Sequence, residues 1–303
     1  MTNPQEQLPP LKEFDAEPVQ TRLRGLLINV DRDLERKLKQ AMESRDRDAE
    51  RRFSLLIIMV RLTTNSYDAI IFLLTDLTDN PKWKSQFALV VPPINRQLLD
   101  LLVTLVFMMD DFPARSVDYE LAGYRQAREE YDKFYERFGA DSEWQQYFAN
   151  LQGTIQQFEH YLPLSPEQKA NLKTIPYWRS LFKLKTKPTA SQPFLEFLDN
   201  WLYGDTSAQA HLNAAGLLAI GLFVLSSFAS DDQREVIEKR AILQYTYRHF
   251  TRTLTTVLAI ATEIDNFCEL NNREAAARTW KLLAEHVEEA KDVYEQRYQA
   301  MLA

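Results

Sequence analysis

Seven polar side chains in helix-forming segments have the residue types that acid–base and phosphate chemistry uses. They are Asn65, Tyr67, Arg96, Asp100, Tyr203, Ser207 and His211. A histidine titrates near neutral pH and can act as acid or base, and an arginine can stabilise the charge that develops on a phosphorane. One hypothesis is therefore metal-free cleavage of RNA by His211 and Arg96, with Asp100 orienting one of them.

Three of these residues form a regular row just before an apolar stretch. Tyr203, Ser207 and His211 are four residues apart, so they stack along one face of a helix if Asp205 begins it. The row then lies at the head of the apolar segment that follows it.

The other four belong to two segments, NSYDAI at 65–70 and RQLLD at 96–100. Arg96 and Asp100 stand at i and i+4, where opposite charges can pair. If the three segments are neighbours, they line a polar pocket. Its binding residues are Asn65, Tyr67, Tyr203 and Ser207. A buried hydrogen-bond network that only fixes helix register uses the same residue types, and this structural role is the open alternative.

Several well-known kinds of site are excluded by the sequence. A ferritin-like di-iron site needs Glu-x-x-His, and none of the four histidines has a glutamate three residues before it. The chain contains no Walker A loop, no GxGxxG fingerprint and no GxSxG elbow. One cysteine and four scattered histidines give no zinc-ligand spacing. We therefore predict no metal and no cofactor.

A basic stretch with aromatic residues, between 167 and 187, is the second candidate site. Six basic residues stand there against one acid, a local net charge of +5 in a chain of net charge −7. The RNA-binding candidates in this stretch are Lys173, Tyr177, Trp178, Arg179, Lys183 and Lys185. Basic groups follow phosphates and aromatic rings stack on bases in single-stranded RNA sites. The alternative is an amphipathic cover whose aromatics pack on the bundle while its lysines are solvated.

The elements that must position these residues are helices. Few glycines and many Leu, Ala, Glu, Lys and Arg favour helix. Apolar residues recur at three- and four-residue spacing in most of the chain, and five prolines mark 162–193 as an irregular connector. The sequence predicts an all-α fold, an irregular bundle of about eight to ten helices. We expect one domain at 19–303 after a disordered lead-in at 1–18.

Residues 212–229 contain no charged side chain and are expected to form the central apolar helix. A membrane span of this length is the alternative. Asn213, Ser226 and Ser227 dilute the segment, Gly216 and Gly221 weaken it, and no basic cluster flanks it. These features favour the core helix, so we predict no membrane span.

The segments NSYDAI and RQLLD and the row Tyr203-x-x-x-Ser207-x-x-x-His211 together resemble a group of bacterial helical proteins related to the HEPN superfamily. The resemblance covers about 49–230 and implies a helical fold that binds RNA or nucleotides, in bacterial stress or phage defence. Active HEPN ribonucleases have an Arg that is separated from the following motif His by four to six residues. Here those positions hold Gly204, Asp205 and Thr206.

Net charge and cysteine content indicate which partners and which cellular compartment to expect. A net charge of −7 repels nucleic acid over the whole molecule, so we predict no DNA binding and expect any RNA site to be a local basic patch. The lone Cys268 excludes an internal disulfide and fits a reducing compartment. The first residues are polar with no apolar signal region, so we predict a cytoplasmic protein.

The last two long helices offer a surface for a homodimer. Polar and aromatic residues at 244–250 mix there with Leu254, Val257, Leu258 and Ile260. Our leading functional hypothesis is a non-catalytic or regulatory HEPN-like protein that binds RNA, a nucleotide or a protein partner. The alternatives are a metal-independent ribonuclease using His211 and Arg96, and a structural interaction module.

Overall fold

All regular elements of the described chain are helical. The computed structural model describes residues 15–76, 90–178, 190–200 and 231–303, except the side chains of 75, 76 and 231–246. These residues form helices and helical turns without a strand, which confirms the predicted all-α bundle. The expected central helix at 212–229 lies outside the described residues.

The helices follow the predicted order along the chain. They are α1 (Glu17–Ser44), α2 (Arg47–Ile71), α3 (Val91–Met109), α4 (Phe112–Phe138), α5 (Gln145–Tyr161), α6 (Pro166–Ala170), α7 (Gln192–Leu198), α8 (Asp231–Cys268), α9 (Arg273–His286), α10 (Glu288–Val293) and α11 (Gln299–Leu302). Single π turns follow α2 at Phe72–Asp76 and α10 at Tyr294–Tyr298. Between α9 and α10 the helix is broken at Val287, whose backbone is extended.

The chain divides into two compact units. The first comprises Met1–Leu105 and Phe194–Ala303, and the second comprises Val106–Pro193. The first boundary falls inside α3, where a continuous helix leaves no break for a sequence pattern to reveal. The single domain at 19–303 stays a prediction, because a division into compact units does not test whether each unit folds separately.

In the first unit, α1 and α2 form a tight antiparallel hairpin. Arg45 ends α1 in the left-handed conformation, with φ of 57°. The Asp46 carboxylate then accepts a hydrogen bond of 3.0 Å from the Ala49 amide and caps α2. The two helices therefore reverse direction within two residues.

In the described part of the first unit, the second half of α8 is a deeply buried helical segment. Every residue from 249 to 265 is buried, so this segment is enclosed on all sides. It includes several threonines, and the hydroxyls of Thr253, Thr255 and Thr262 donate to the carbonyl four residues earlier at 2.7–2.8 Å. The helix can bury these residues because their polar groups are satisfied locally.

This burial corrects the surface suggested for a homodimer. Leu254, Val257, Leu258 and Ile260 are fully buried in the core of their own chain. They are apolar because they pack against the neighbouring helices, so they offer no free surface to a second copy. The homodimer itself stays a prediction.

The second unit is built on the α4–α5 hairpin. Its core residues are Leu121, Tyr124, Ala127, Ile155, Leu162 and Ile175. At the hairpin's turn, Phe138 stacks on Trp144 with ring centroids 4.4 Å apart. Gly139 follows α4 with φ of −62°, not the left-handed value typical of a C′ glycine. It is needed for space, because a Cβ would lie 2.5 Å from the Tyr135 carbonyl oxygen.

Candidate functional site

The predicted ion pair of α3 is present. Arg96 Nε lies 3.3 Å from Asp100 Oδ2, and the two side chains are 7% and 30% exposed. The α-helix brings residues four apart onto one face, so the spacing alone explains this geometry. Because Arg96 is buried, its charge depends on polar partners inside the protein.

The residue before Arg96, which no sequence pattern singled out, fastens α3 to α8. Asn95 is buried, and its Nδ2 donates to the His249 carbonyl oxygen at 3.0 Å. The Thr253 hydroxyl lies 2.8 Å from Asn95 Oδ1 and 2.7 Å from the same carbonyl. A polar network that fixes helix positions accounts for these contacts, as the structural alternative expects.

The two candidates on α2 point to different environments. Asn65 is exposed, whereas Tyr67 is fully buried. Burial raises the pKa of Tyr67 to about 12, and its hydroxyl has no hydrogen-bond partner among the described residues. Asn65 and Tyr67 therefore do not line one pocket. The reason is helical geometry, because residues two apart lie on opposite sides of a helix.

The remaining members of the proposed pocket belong to the row before the apolar segment. Tyr203, Ser207 and His211 lie outside the described residues. An approach of His211 to Arg96 therefore stays a prediction.

In the basic stretch, the two described aromatic residues are used within the second unit. The Tyr177 hydroxyl donates to Glu129 Oε2 at 2.8 Å, and its ring faces the Arg125 guanidinium at 3.7 Å. The Trp178 ring meets the ring of Tyr119 edge to face, with centroids 4.9 Å apart. This packing matches the amphipathic-cover alternative. Lys173 is exposed, and Arg179, Lys183 and Lys185 lie outside the described residues.

Charge holds Tyr177 in place. Arg125 Nε donates to Glu129 Oε1 at 2.7 Å, so one carboxylate joins the arginine and the tyrosine. Burial alone would raise the pKa of Glu129, but the hydrogen bonds from Arg125 and Tyr177 outweigh it and lower that pKa. One face of the Tyr177 ring is therefore used in a contact within the unit, and the residue is 49% exposed.

The sequence did not indicate a buried carboxylate in the last turns of α8. Glu263 in α8 is buried and accepts hydrogen bonds from Arg297 Nη2 at 3.0 Å and from the Tyr298 hydroxyl at 2.9 Å. Tyr298 also stacks on Trp280 with centroids 4.6 Å apart. Burial raises the pKa of Tyr298 well above its ordinary value. These contacts attach the last helical segment to α8.

Apolar side chains are exposed in a row along the outer face of α2. Ile58, Leu62 and Phe72 are 64%, 53% and 51% exposed. They belong to a set at alternating spacings of three and four residues, which we call the α2 row. The α2 row consists of Leu55, Ile58, Leu62, Asn65, Ala69 and Phe72. Leu55 is half-buried and the other five members are exposed, and Phe72 is the first residue of the π turn that follows α2. An exposed row of this kind is typical of a helix that docks on another surface.

Two helices of the described chain are long and apolar enough to cross a membrane by length and composition, at Arg47–Leu74 and Val91–Met109. Buried core helices pass the same test. Of the most apolar 18-residue segment in each helix, 61% is buried in α3 and 44% is buried in α2. The difference reflects the exposed α2 row.

No metal-binding group of three or more His, Cys, Asp or Glu side chains occurs among the residues that the structure describes. No protein-family model, curated protein or solved structure matches the chain.

Proposed function

We propose that this chain is a non-catalytic helical binding protein that acts through a macromolecular partner. The observation that carries the proposal is the α2 row, in which large apolar side chains face solvent on a helix otherwise packed into the core. Leaving such side chains in water costs free energy that a partner can recover, at roughly 25 cal/mol per Å² of apolar surface buried.

Site-specific photo-crosslinking tests this proposal. A photoreactive amino acid at Ile58 should give macromolecular adducts in cells that produce the protein. Met42 is the matched control, because this methionine of α1 is 57% exposed and lies outside the α2 row. Equal adduct formation at Ile58 and Met42 would contradict a docking role for the row.

RNA binding is a second candidate function, favoured by the charge of the basic stretch. Residues 162–193 carry six basic side chains and one acidic one. One face of Tyr177 and the ring of Trp178 are used in contacts within the second unit, so we expect binding to depend mainly on Lys173 and the other basic residues. Such contacts are independent of sequence and sensitive to salt.

The HEPN-like relationship and the cytoplasmic location are parts of the same proposal. The ribonuclease alternative depends on Arg96, which is buried and paired with Asp100, and on His211. A structural interaction module is the simplest form of the binding proposal. RNA cleavage that requires His211 would support the ribonuclease and contradict both the binding protein and the structural interaction module.

A further inference from the structure

The α2 row has the spacing of a two-helix seam. Its six positions follow the order three, four, three, four, three, so they occupy alternating a and d sites of a heptad. The row extends over seventeen helical steps, about 26 Å at 1.5 Å per residue. The a and d sites of one helix normally pack against those of another helix with the same spacing.

We infer that the partner of the α2 row is a second copy of this chain, packed antiparallel along α2. The inference rests on the proposed function and names the occupant of its surface. In antiparallel pairing, an a site meets a d site of the other helix. Leu55 then meets Phe72 of the partner subunit, and Ile58 meets Ala69 of the partner subunit. Leu62 meets Asn65 of the partner subunit, so all six positions are used.

Charge complementarity favours this partner and this direction. The g sites beside the row hold Arg61 and Asp68, which are both exposed. Antiparallel helices bring g sites opposite each other, so Arg61 faces Asp68 of the partner subunit, and twofold symmetry repeats the pair. A parallel pair would instead set Arg61 against the e site Ser66 of the partner subunit, which carries no charge.

The neighbouring helix extends the same surface. Arg24 of α1 lies 3.2 Å from Asp68, and Asp31 lies 3.1 Å from Arg61. Ile28 stands between Arg24 and Asp31 on this face of α1 and is 56% exposed. Two such hairpins would form a four-helix arrangement with Ile28 beside the seam.

Other features disfavour a lipid surface as the occupant. Helices that lie in a membrane interface carry Lys and Arg around their apolar face. Beside the α2 row, basic and acidic groups alternate in ion pairs, and the chain as a whole has a net charge of −7.

Light scattering of the purified full chain tests the inference. We expect a dimer mass, with Ile58→Glu raising the dissociation constant about thirtyfold or more, since it buries a charge within the interface. Met42→Glu should change that constant by no more than about twofold, because Met42 lies outside the row. Asn65→Leu should tighten dimerisation, because a polar residue in a seam specifies register at a cost in stability.

Disulfide trapping tests the direction. The double variant Ile58→Cys/Ala69→Cys should form a covalent dimer, and Ile58→Cys alone should not. Within one chain these positions are about 16 Å apart along the helix, too far for an internal disulfide. Cross-linking by Ile58→Cys alone would overturn the antiparallel arrangement. The native Cys268 adds little background, because burial raises its pKa to about 12.

Maleimide labelling of the Ile58→Cys variant separates the ways the inference can fail, with the exposed Glu274→Cys as the labelling control. A monomer whose introduced thiol reacts as fast as the control would overturn the dimer but leave the row open to another partner. A monomer whose introduced thiol is protected would overturn the proposed function as well, because the chain itself would then cover the row. Recovery only with membranes would overturn the dimer in favour of lipid.

Discussion

At the residue scale, the buried carboxylate of Glu263 shows how this fold tolerates charge in its core. Two partners satisfy the carboxylate, a guanidinium and a tyrosine hydroxyl, and both belong to the last turns of the chain. We predict that Glu263→Gln lowers the free energy of unfolding by about 3 kcal/mol, since it leaves the Arg297 charge without its counterion in a buried site.

Urea denaturation measures this decrease, and a matched exposed pair controls for it. Glu274 and Arg278 are 82% and 59% exposed, so Glu274→Gln should change the free energy of unfolding by less than about 1 kcal/mol. Equal effects of the two substitutions would mean that Glu263 contributes no more than a surface ion pair.

The polar pairs of this protein differ in how far the sequence can predict them. The Arg96–Asp100 pair was predictable, because four residues along a helix always bring two side chains to one face. The partners of Glu263 are 34 and 35 residues away, and no local rule connects them. Asn65 and Tyr67 looked alike as polar groups in one segment, but only the packed helix determines that one is buried and the other exposed.

At the element scale, the sequence did not single out 249–265 as a buried helix. The central helix expected at 212–229 lies outside the described residues and stays a prediction, whereas the structure encloses 249–265. The threonines, Arg252 and Glu263 made this part of α8 look like a surface helix. Hydrogen bonds to preceding carbonyls satisfy the threonines, and Arg252 is paired with Glu289 at 3.4 Å. The helical class itself was predictable, because apolar periodicity is a local signal.

The turn from α8 to α9 gives a prediction that depends on pH. The Asp265 carboxylate accepts a hydrogen bond from the Asn272 backbone amide at 3.1 Å, and Glu269 and Asn271 turn the chain with positive φ. Burial raises the pKa of Asp265 above its ordinary 3.8, the negative charge of Asp33 adds to this, and the Asn272 hydrogen bonds oppose it. The folded state therefore holds the Asp265 proton more tightly than the unfolded state does.

Because the folded pKa is raised, Asp265 favours folding below 3.8, and this contribution is lost as the pH rises through the folded pKa. Asp265→Asn keeps an oxygen acceptor but cannot ionise. We expect the variant to gain stability relative to the unmodified chain as the pH rises above about 4, until Asp265 is ionised in the folded state, as measured by denaturation at each pH. A difference that stays constant or reverses over this range would contradict the raised pKa.

At the scale of the whole molecule, charge is distributed unevenly along the second unit. Residues 106–161 carry eleven acidic and five basic side chains, a net charge of −6, whereas 162–193 carry +5. Part of this contrast is used internally, since Glu129 holds both Arg125 and Tyr177. The basic stretch can still attract a polyanion, because Lys173 is exposed and the field of clustered charges extends about 8 Å at physiological salt.

Charge reversal in this stretch decides whether it binds RNA. In the double variant K183E/K185E, RNA affinity should fall and the salt dependence of log K should flatten, by about 0.7 for each phosphate group that the variant no longer neutralises. K37E/K39E on α1 is the matched control, because it makes the same charge change at the same Lys-x-Lys spacing. Equal decreases in RNA affinity in both variants would mean that only the net charge of the molecule matters, not this stretch. Undetectable RNA binding by the unmodified chain would refute RNA binding as a function.

Cleavage of an end-labelled RNA tests for catalysis. The RNA is incubated in buffer with a chelator, in one sample with the unmodified chain and in another with His211→Ala. A binding protein should leave the RNA intact in both samples. If the unmodified chain cleaves the RNA and the folded variant does not, the protein is a metal-independent ribonuclease and the proposal of a non-catalytic binding protein is wrong. The reason is that only an acid–base role makes His211 necessary for bond breaking while the fold is retained.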